Sequence, residues 1–364
     1  MRHPLHAICP YFAMFPEEFV ARQVLAFTQP GDLVLDPFCG RGTTVFESLL
    51  QRRKAIGMDV NWVAACVAGA KAAVPCRDDL IKRLRELEER YKNSDIAIPG
   101  GEFFGYCFHP DTLRELCFLR EELDWRRDDR DRFIAAVTLG ALHGESHRSP
   151  NYLSNRMPRT ISTKPEYSVR WWRDRNLLPQ RRETFRILAT LIAFRLSVAA
   201  PIGEASVIHG DARNCGDAFD KYTGEVKLMV TSPPYLDTTD YSEDQWLRLW
   251  LLGGSPSPTR RLSRDDRYRN AADYWQFLTD VWKGCASLLA PKATIVIRIG
   301  GRKLSVPELA DGLLTSLRTS IAGSTELLST PNSSEIRKGQ VNSFRPGMTN
   351  KNKEHDFVFR IQVS

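Results

Sequence analysis

Eight cysteines are scattered through the 364 residues, and no two stand in a CxxC pair. That speaks against a disulfide framework and against a zinc knuckle, and a reducing cytoplasm is the expected compartment. Long hydrophobic runs are also missing. One apolar block, Ile187 to Phe194, is broken by Thr190 and flanked by Arg186 and Arg195, far too short to cross a bilayer. No apolar stretch follows the opening Met1-Arg2-His3-Pro4-Leu5-His6, so no signal peptide is expected. No internal repeat is found, and no HExxH. His143 and His147 stand four apart around Glu145, but without a third ligand the reading is a surface turn, and no metal is expected. Charge of one sign is in only modest excess, with a net charge of +7.

What is present begins with a short apolar strand, Leu33-Val34-Leu35, ending in Asp36-Pro37-Phe38-Cys39-Gly40-Arg41-Gly42-Thr43-Thr44. Val45, Phe46, Leu49 and Leu50 then fall at helical spacing. The glycines let backbone approach a ligand closely. The next strand, Ala55-Ile56-Gly57-Met58, ends in Asp59, placed to hold ribose hydroxyls. A dinucleotide site asks for Gly or Ala at position 45, where this chain has Val45. A ligand with a ribose and no diphosphate fits better, and Asp36 suits a sulfonium and an amino group. Phe15-Pro16-Glu17-Glu18 precedes this unit, with proline and acid at a helix start.

A second ligand-type turn follows the apolar strand Val226 to Val230: Thr231-Ser232-Pro233-Pro234-Tyr235. Two prolines lack N–H donors and fix φ, so the chain must turn at the strand's end. In an open α/β sheet, ligands bind at such ends. Another strand, Ala205 to His209, leads to Asp211, whose carboxylate suits an adenine amino group.

Between about Pro75 and Glu204 the strand rhythm is lost. Helices are predicted over Asp78 to Lys92, Asp111 to Leu123 and Asp131 to Leu142, and the stretch from Ser149 to Arg173 reads as long and irregular. Over 145–200, eleven basic residues face four acidic ones, an excess that equals the net charge of the whole chain. Arg156, Arg159, Lys164, Arg170, Trp171 and Trp172 combine phosphate-binding charge with aromatic surface for base stacking. A polar, basic, mobile loop is expected over Asn332 to Lys353.

Taken together, these motifs resemble the amino-group (N4-cytosine/N6-adenine) DNA methyltransferases that use S-adenosylmethionine. Asp36 to Thr43 looks like that family's FxGxG cofactor loop, Ser232-Pro233-Pro234-Tyr235 like its (D/N/S)PPY motif, and Phe15-Pro16 like the segment that closes over methionine. The resemblance covers 1–74 and 205–364, the expected catalytic domain, and leaves 75–204 as an insertion expected to recognise DNA. It implies an α/β fold: a doubly wound, mostly parallel seven-stranded sheet of the class I methyltransferase, Rossmann-like type, with a helical or irregular insertion. It implies S-adenosylmethionine held by Phe15, Pro16, Asp36, Phe38, Gly40, Gly42, Thr43, Asp59, Asp211 and Thr231. Catalysis falls to Ser232, Pro233, Pro234 and Tyr235, on a base flipped from duplex DNA. Serine at the head of the motif favours cytosine N4 in that family, with adenine N6, or a base amino group in RNA, as alternatives. A protein glutamine amide poses the same chemical problem. The non-enzymatic alternative is a DNA-binding partner that retains the fold. A restriction or defence-system partner fits the family, and the oligomeric state is left open. A C5-cytosine enzyme would need a Pro-Cys nucleophile, and Pro75-Cys76 stands in the wrong part of the chain for it.

Overall fold

The computed structural model describes residues 2–11, 15–144, 149–157, 164–236, 245–258, 270–300, 304–328, 332–335 (backbone) and 353–364. The elements run α1 (Glu17–Phe27), β1 (Leu33–Asp36), α2 (Thr43–Leu50), β2 (Lys54–Asp59), α3 (Trp62–Ala72), α4 (Arg77–Lys92), α5 (Glu102–Cys107), α6 (Pro110–Glu122) and α7 (Asp129–Ala141). They continue as α8 (Pro165–Arg173), α9 (Thr184–Arg195), β3 (Ala205–His209), α10 (Cys215–Ala218), β4 (Val226–Thr231), α11 (Trp246–Leu251), α12 (Ala271–Cys285) and β5 (Leu289–Gly300). Last come α13 (Val306–Ser320), β6 (Gly323–Leu327), β7 (Asn332–Glu335) and β8 (Lys353–Val363).

The strands form one sheet in the order β3-β2-β1-β4-β5-β8-β6, with β7 beside β8. β3, β2, β1, β4 and β5 pair in parallel, and β8 pairs antiparallel with β5, β6 and β7. This is the doubly wound, mostly parallel sheet expected of a class I methyltransferase. β6 and β7 meet different stretches of the same long β8: Thr325 lies opposite Ile361, and Ser334 opposite Glu354. The strand order reverses between β1 and β4, so their carboxyl ends open a crevice at the switch point.

One sheet face is covered by α1, whose Phe19, Val20 and Val24 pack on Val34, Leu228, Val230 and Val296. On the other face, Phe277, Val281 and Trp282 of α12 and Leu313 and Leu317 of α13 pack on Leu35, Met229, Ile295 and Ile297. Helix α3 is buried nearly all round, from Val63 to Lys71. Its second side is taken by the helices between β2 and β3, which share a core with Leu5, Ile8, Phe46 and residues of α11. The segment 75–204 therefore packs against the sheet domain through a continuous apolar core.

That segment differs from its sequence reading. Three further helices, α5, α8 and α9, are formed, and α8 occupies part of the stretch expected to be irregular. Helix α8 starts on Pro165, whose missing N–H costs nothing at a first turn. It puts Ser168, Val169 and Trp172 inward. Of the loop expected over Asn332 to Lys353, β7 is a strand, and 336–352 lie outside the described residues.

Candidate functional site

The crevice is built by two strand ends that sequence places far apart. At the end of β1, Asp36 is 1% exposed. It accepts from the Thr231 hydroxyl at 2.8 Å and from the Phe38 N–H at 3.2 Å. Burial raises its pKa to about 7, against the hydrogen bonds from Thr44, Thr231 and Phe38 that pull it down. Thr231 is the last residue of β4, so this contact sets the turn carrying Ser232-Pro233-Pro234-Tyr235 beside the glycine loop. Pro233 is buried, and Ser232, Pro234 and Tyr235 are half-buried.

The glycine loop is tight. Gly40 and Gly42 have φ of +50° and +73°, the left-handed region where a side chain is strained. Gly42 N–H donates to the Cys39 carbonyl at 2.7 Å, and Cys39 N–H to the Met58 carbonyl at 3.0 Å. A methyl group on Gly42 would lie 2.8 Å from the Cα of Ala68 in α3. Thr43, buried, begins α2, and Phe38 packs near Phe277 with ring centroids 6.0 Å apart.

Asp59 does more than end β2. Its two oxygens accept from Gly40 N–H and Asn61 N–H, each at 2.9 Å, which fastens the loop to β2 and opens α3. Burial pushes its pKa up to about 6, against those two hydrogen bonds. Each carboxylate oxygen keeps acceptor capacity beyond these bonds. The Asp59 carbonyl accepts from Gly210 N–H at 3.1 Å, so the ends of β2 and β3 meet. There Asp211 forms a two-pronged pair with Arg213, at 3.0 and 2.7 Å.

Arg41 is the residue that sequence reasoning passed over. It sits between the two glycines and is 5% exposed. Its guanidinium donates to the His6 carbonyl and to Glu17 Oε1, the latter at 3.2 Å, and its own carbonyl accepts from Lys71 Nζ at 2.6 Å. His6 Nε2 lies 2.7 Å from Glu47 Oε1. Burial moves these two groups apart, His6 down to about 3 and Glu47 up to about 7. The cofactor-type loop is thus tied to residues 2–6 and to the start of α1. Phe15 packs into the core under α1, 9% exposed, and Pro16 caps that helix. An arginine between two glycines was the available signal.

The insertion divides the basic and aromatic candidates. Arg156, Lys164 and Arg170 are exposed, and Trp171 is half-buried. Arg156 and Arg175 flank the Trp171 ring, their guanidinium carbons 5.7 and 4.7 Å from its centroid. Trp172 is wholly buried, 5.7 Å from the Phe103 ring, and its N–H donates to the Arg156 carbonyl at 2.5 Å. It is a core residue, and the expectation that it stacks on a base is withdrawn. Arg159 lies outside the described residues. His143, expected in a surface turn, is 2% exposed, while Glu145 and His147 lie outside the described residues. No group of residues able to hold a metal ion occurs among the described residues, and none of their helices is long and apolar enough to cross a membrane.

Sheet order, switch-point crevice and glycine loop define the class I methyltransferase fold. Residues 3–68 match the family model described as DNA methylase, of the N6/N4 type. Over 51 residues the chain is 43% identical to the Type II methyltransferase M.Cfr9I of Citrobacter freundii, covering 14% of this chain and 17% of that protein. Over 46 residues it is 46% identical to the DNA adenine methyltransferase YhdJ of Escherichia coli (strain K12), covering 13% and 16%. Each match spans under a fifth of the relative's length. Among solved structures, the rRNA methyltransferase aviRa from Streptomyces viridochromogenes aligns over 99% of this chain and 90% of its own, at TM-score 0.38 and 13% identity. A methyltransferase from Agrobacterium tumefaciens aligns over 96% and 63%, at TM-score 0.37 and 11% identity. Likenesses this loose say nothing of substrate. Over residues 3–68 the chain is thus similar to the amino-group DNA methyltransferases, and the family match reaches no further along it.

Proposed function

We propose that this chain transfers a methyl group from S-adenosylmethionine to an exocyclic base nitrogen in DNA, with cytosine N4 as the target. The observation that carries the reading is the Thr231–Asp36 hydrogen bond at 2.8 Å, because it sets the glycine loop and the Ser-Pro-Pro-Tyr turn side by side. The donor set fits the cofactor: a buried carboxyl at Asp36 for its cationic end, backbone at Gly40 and Gly42 for close approach, and Asp59 and Asp211 for ribose and adenine. Thr43, Phe38, Phe15 and Pro16 complete the proposed pocket. When bound, the cofactor supplies an electrophilic methyl carbon on a sulfonium.

The remaining work belongs to the chain. An exocyclic amino nitrogen is a poor nucleophile because its lone pair is delocalised into the ring. Ser232 Oγ and the Pro233 carbonyl are proposed to accept its two N–H groups, which favours a tetrahedral nitrogen and frees the lone pair. Pro233 and Pro234 hold that carbonyl rigid, and Tyr235 supplies an aromatic surface for the flipped base. Flipping costs about a few kcal/mol, and most of the catalysis is positioning. Arg156, Lys164, Arg170 and Trp171 are proposed to grip DNA through phosphate contacts and stacking.

Adenine N6 is the second reading, favoured by the relative named a DNA adenine methyltransferase. Incubation with labelled S-adenosylmethionine and duplex DNA, followed by digestion to nucleosides, decides between them. N4-methylcytosine is expected, N6-methyladenine as sole product moves the assignment to adenine, and absence of any transfer removes both. Ser232→Ala should abolish transfer while leaving cofactor binding intact.

A further inference from the structure

Tyr235 is held from the far side of the sheet. Its hydroxyl donates to Glu354 Oε1 at 2.9 Å. Glu354 lies near the start of β8, opposite Gly300 at the end of β5, and two steps on Asp356 faces Arg298. Residues two apart on a strand share a face, so Arg298, Gly300, Glu354 and Asp356 line one patch. On the same face lie Val296 and Val358, under α1.

The patch is nearly closed to solvent and internally paired. Arg298 is 5% exposed and donates to both oxygens of Asp356, at 2.6 and 2.8 Å. It also lies 3.8 Å from Glu354 Oε2. Its guanidinium carbon is 3.8 Å from the centroid of Phe19 on α1, in cation–π range. One arginine thus stands against two carboxylates. Burial pushes the Glu354 carboxyl up, while Arg298 and the Tyr235 hydroxyl hold it down. Gly300 leaves room for the tyrosine: a methyl group there would lie 3.3 Å from Tyr235 Cε2 and 2.8 Å from the Lys353 carbonyl.

We propose that Glu354, braced by Arg298, is a positioning residue that fixes the Tyr235 ring over Gly300 in the orientation needed to receive the target base. This rests on the methyl-transfer reading above. A ring restrained before the base arrives loses less freedom on binding, and preorganisation of this kind lowers the barrier more than it strengthens cofactor affinity.

The test is a panel of wild type, E354L, E354Q, Y235F and the double variant E354L/Y235F. Each is measured for S-adenosylmethionine affinity by calorimetry, for kcat and KM on duplex DNA, and for its unfolding midpoint. E354L and Y235F should each lower kcat about tenfold, the loss expected for one hydrogen bond to a charged group, with cofactor affinity unchanged. The double variant should be no slower than Y235F alone, and E354Q, which keeps an acceptor oxygen, should recover most of the loss. Wild-type kcat in E354L, or additive losses in the double variant, overturns the proposal. Should E354L fail to fold, E354A takes its place beside Y235F and E354Q, with the same expected loss and the same overturning result. Absence of transfer by the wild-type chain overturns the methyl-transfer reading instead. The pairing is then read from the fluorine resonance of 3-fluorotyrosine at position 235: movement in E354L with little in E354Q supports it, and an unmoved resonance overturns it.

Discussion

The Thr231 hydroxyl donates to Asp36 Oδ1 at 2.8 Å, across 195 residues of chain. The contact binds two neighbouring strand ends at the point where the sheet reverses its order. It also keeps a nearly buried carboxyl hydrogen-bonded.

Asp36 should make both stability and ligand binding depend on pH. Its folded pKa of about 7 stands above the ordinary 3.8. Below pH 4 the group is protonated folded or unfolded and costs nothing. As pH rises from 4 to 7 the unfolded chain gives up the proton first, so stability falls, by on the order of 4 kcal/mol at most. Above 7 the cost is constant. Asp36→Asn should remove this slope in denaturant titrations from pH 4 to 8.

A cationic cofactor beside Asp36 should favour the charged carboxylate. Affinity should therefore rise with pH up to about 7, and binding at pH 6 should release up to one proton. Calorimetry of S-adenosylmethionine binding in buffers of different ionisation enthalpy measures that release. An equal release in Asp36→Asn would remove Asp36 from the pocket.

Asp59 should act through the loop it fastens. Asp59→Ala leaves the Gly40 and Asn61 N–H groups without acceptors, each a loss of about 1–3 kcal/mol when buried. Cofactor affinity should fall by about tenfold or more, while kcat at saturating cofactor stays within a few-fold. An unchanged dissociation constant would sink the assignment.

Two glycines with positive φ should differ. Gly31 has φ +91° with nothing within 4 Å of an added methyl, whereas Gly42 has φ +73° with Ala68 at 2.8 Å. Gly31→Ala should cost about 1–2 kcal/mol of backbone strain. Gly42→Ala should cost about 1–3 kcal/mol more from overpacking, and cofactor binding with it. Urea unfolding of the two variants, with matched calorimetry, makes the comparison.

Arg156 and Arg170 are exposed on the insertion. Replacing either with Ala should weaken DNA binding on any sequence. Each replacement should flatten the slope of log affinity against log salt by about 0.9, the value for one phosphate contact. Fluorescence anisotropy over a salt series measures it. A steep slope retained in the double variant would move the DNA surface elsewhere.

Motifs that depend on residues next to one another were legible before the fold. Asp36 to Thr43 could be read as a ligand turn because glycines and a proline constrain their own backbone. The Ser-Pro-Pro-Tyr turn was legible for the same reason, and strands β1, β2 and β4 announced themselves as apolar runs. Helix α8 was hidden because it is only nine residues long, and its inward set of Ser168, Val169 and Trp172 is too short a stripe to stand out within a Pro- and Ser-rich stretch. Neighbouring Trp171 and Trp172 cannot be told apart by type. One helical step of about 100° leaves one half-buried and the other in the core.

What the sequence by itself determined is the pair of turns and their chemistry, since φ restriction and missing N–H groups act within a few residues. Only the tertiary structure decided that Thr231 meets Asp36, that Arg41 anchors the glycine loop to His6 and Glu17, and that Glu354 reaches Tyr235 from 119 residues away. Those contacts depend on strand order and register, which long-range burial sets and no local pattern encodes.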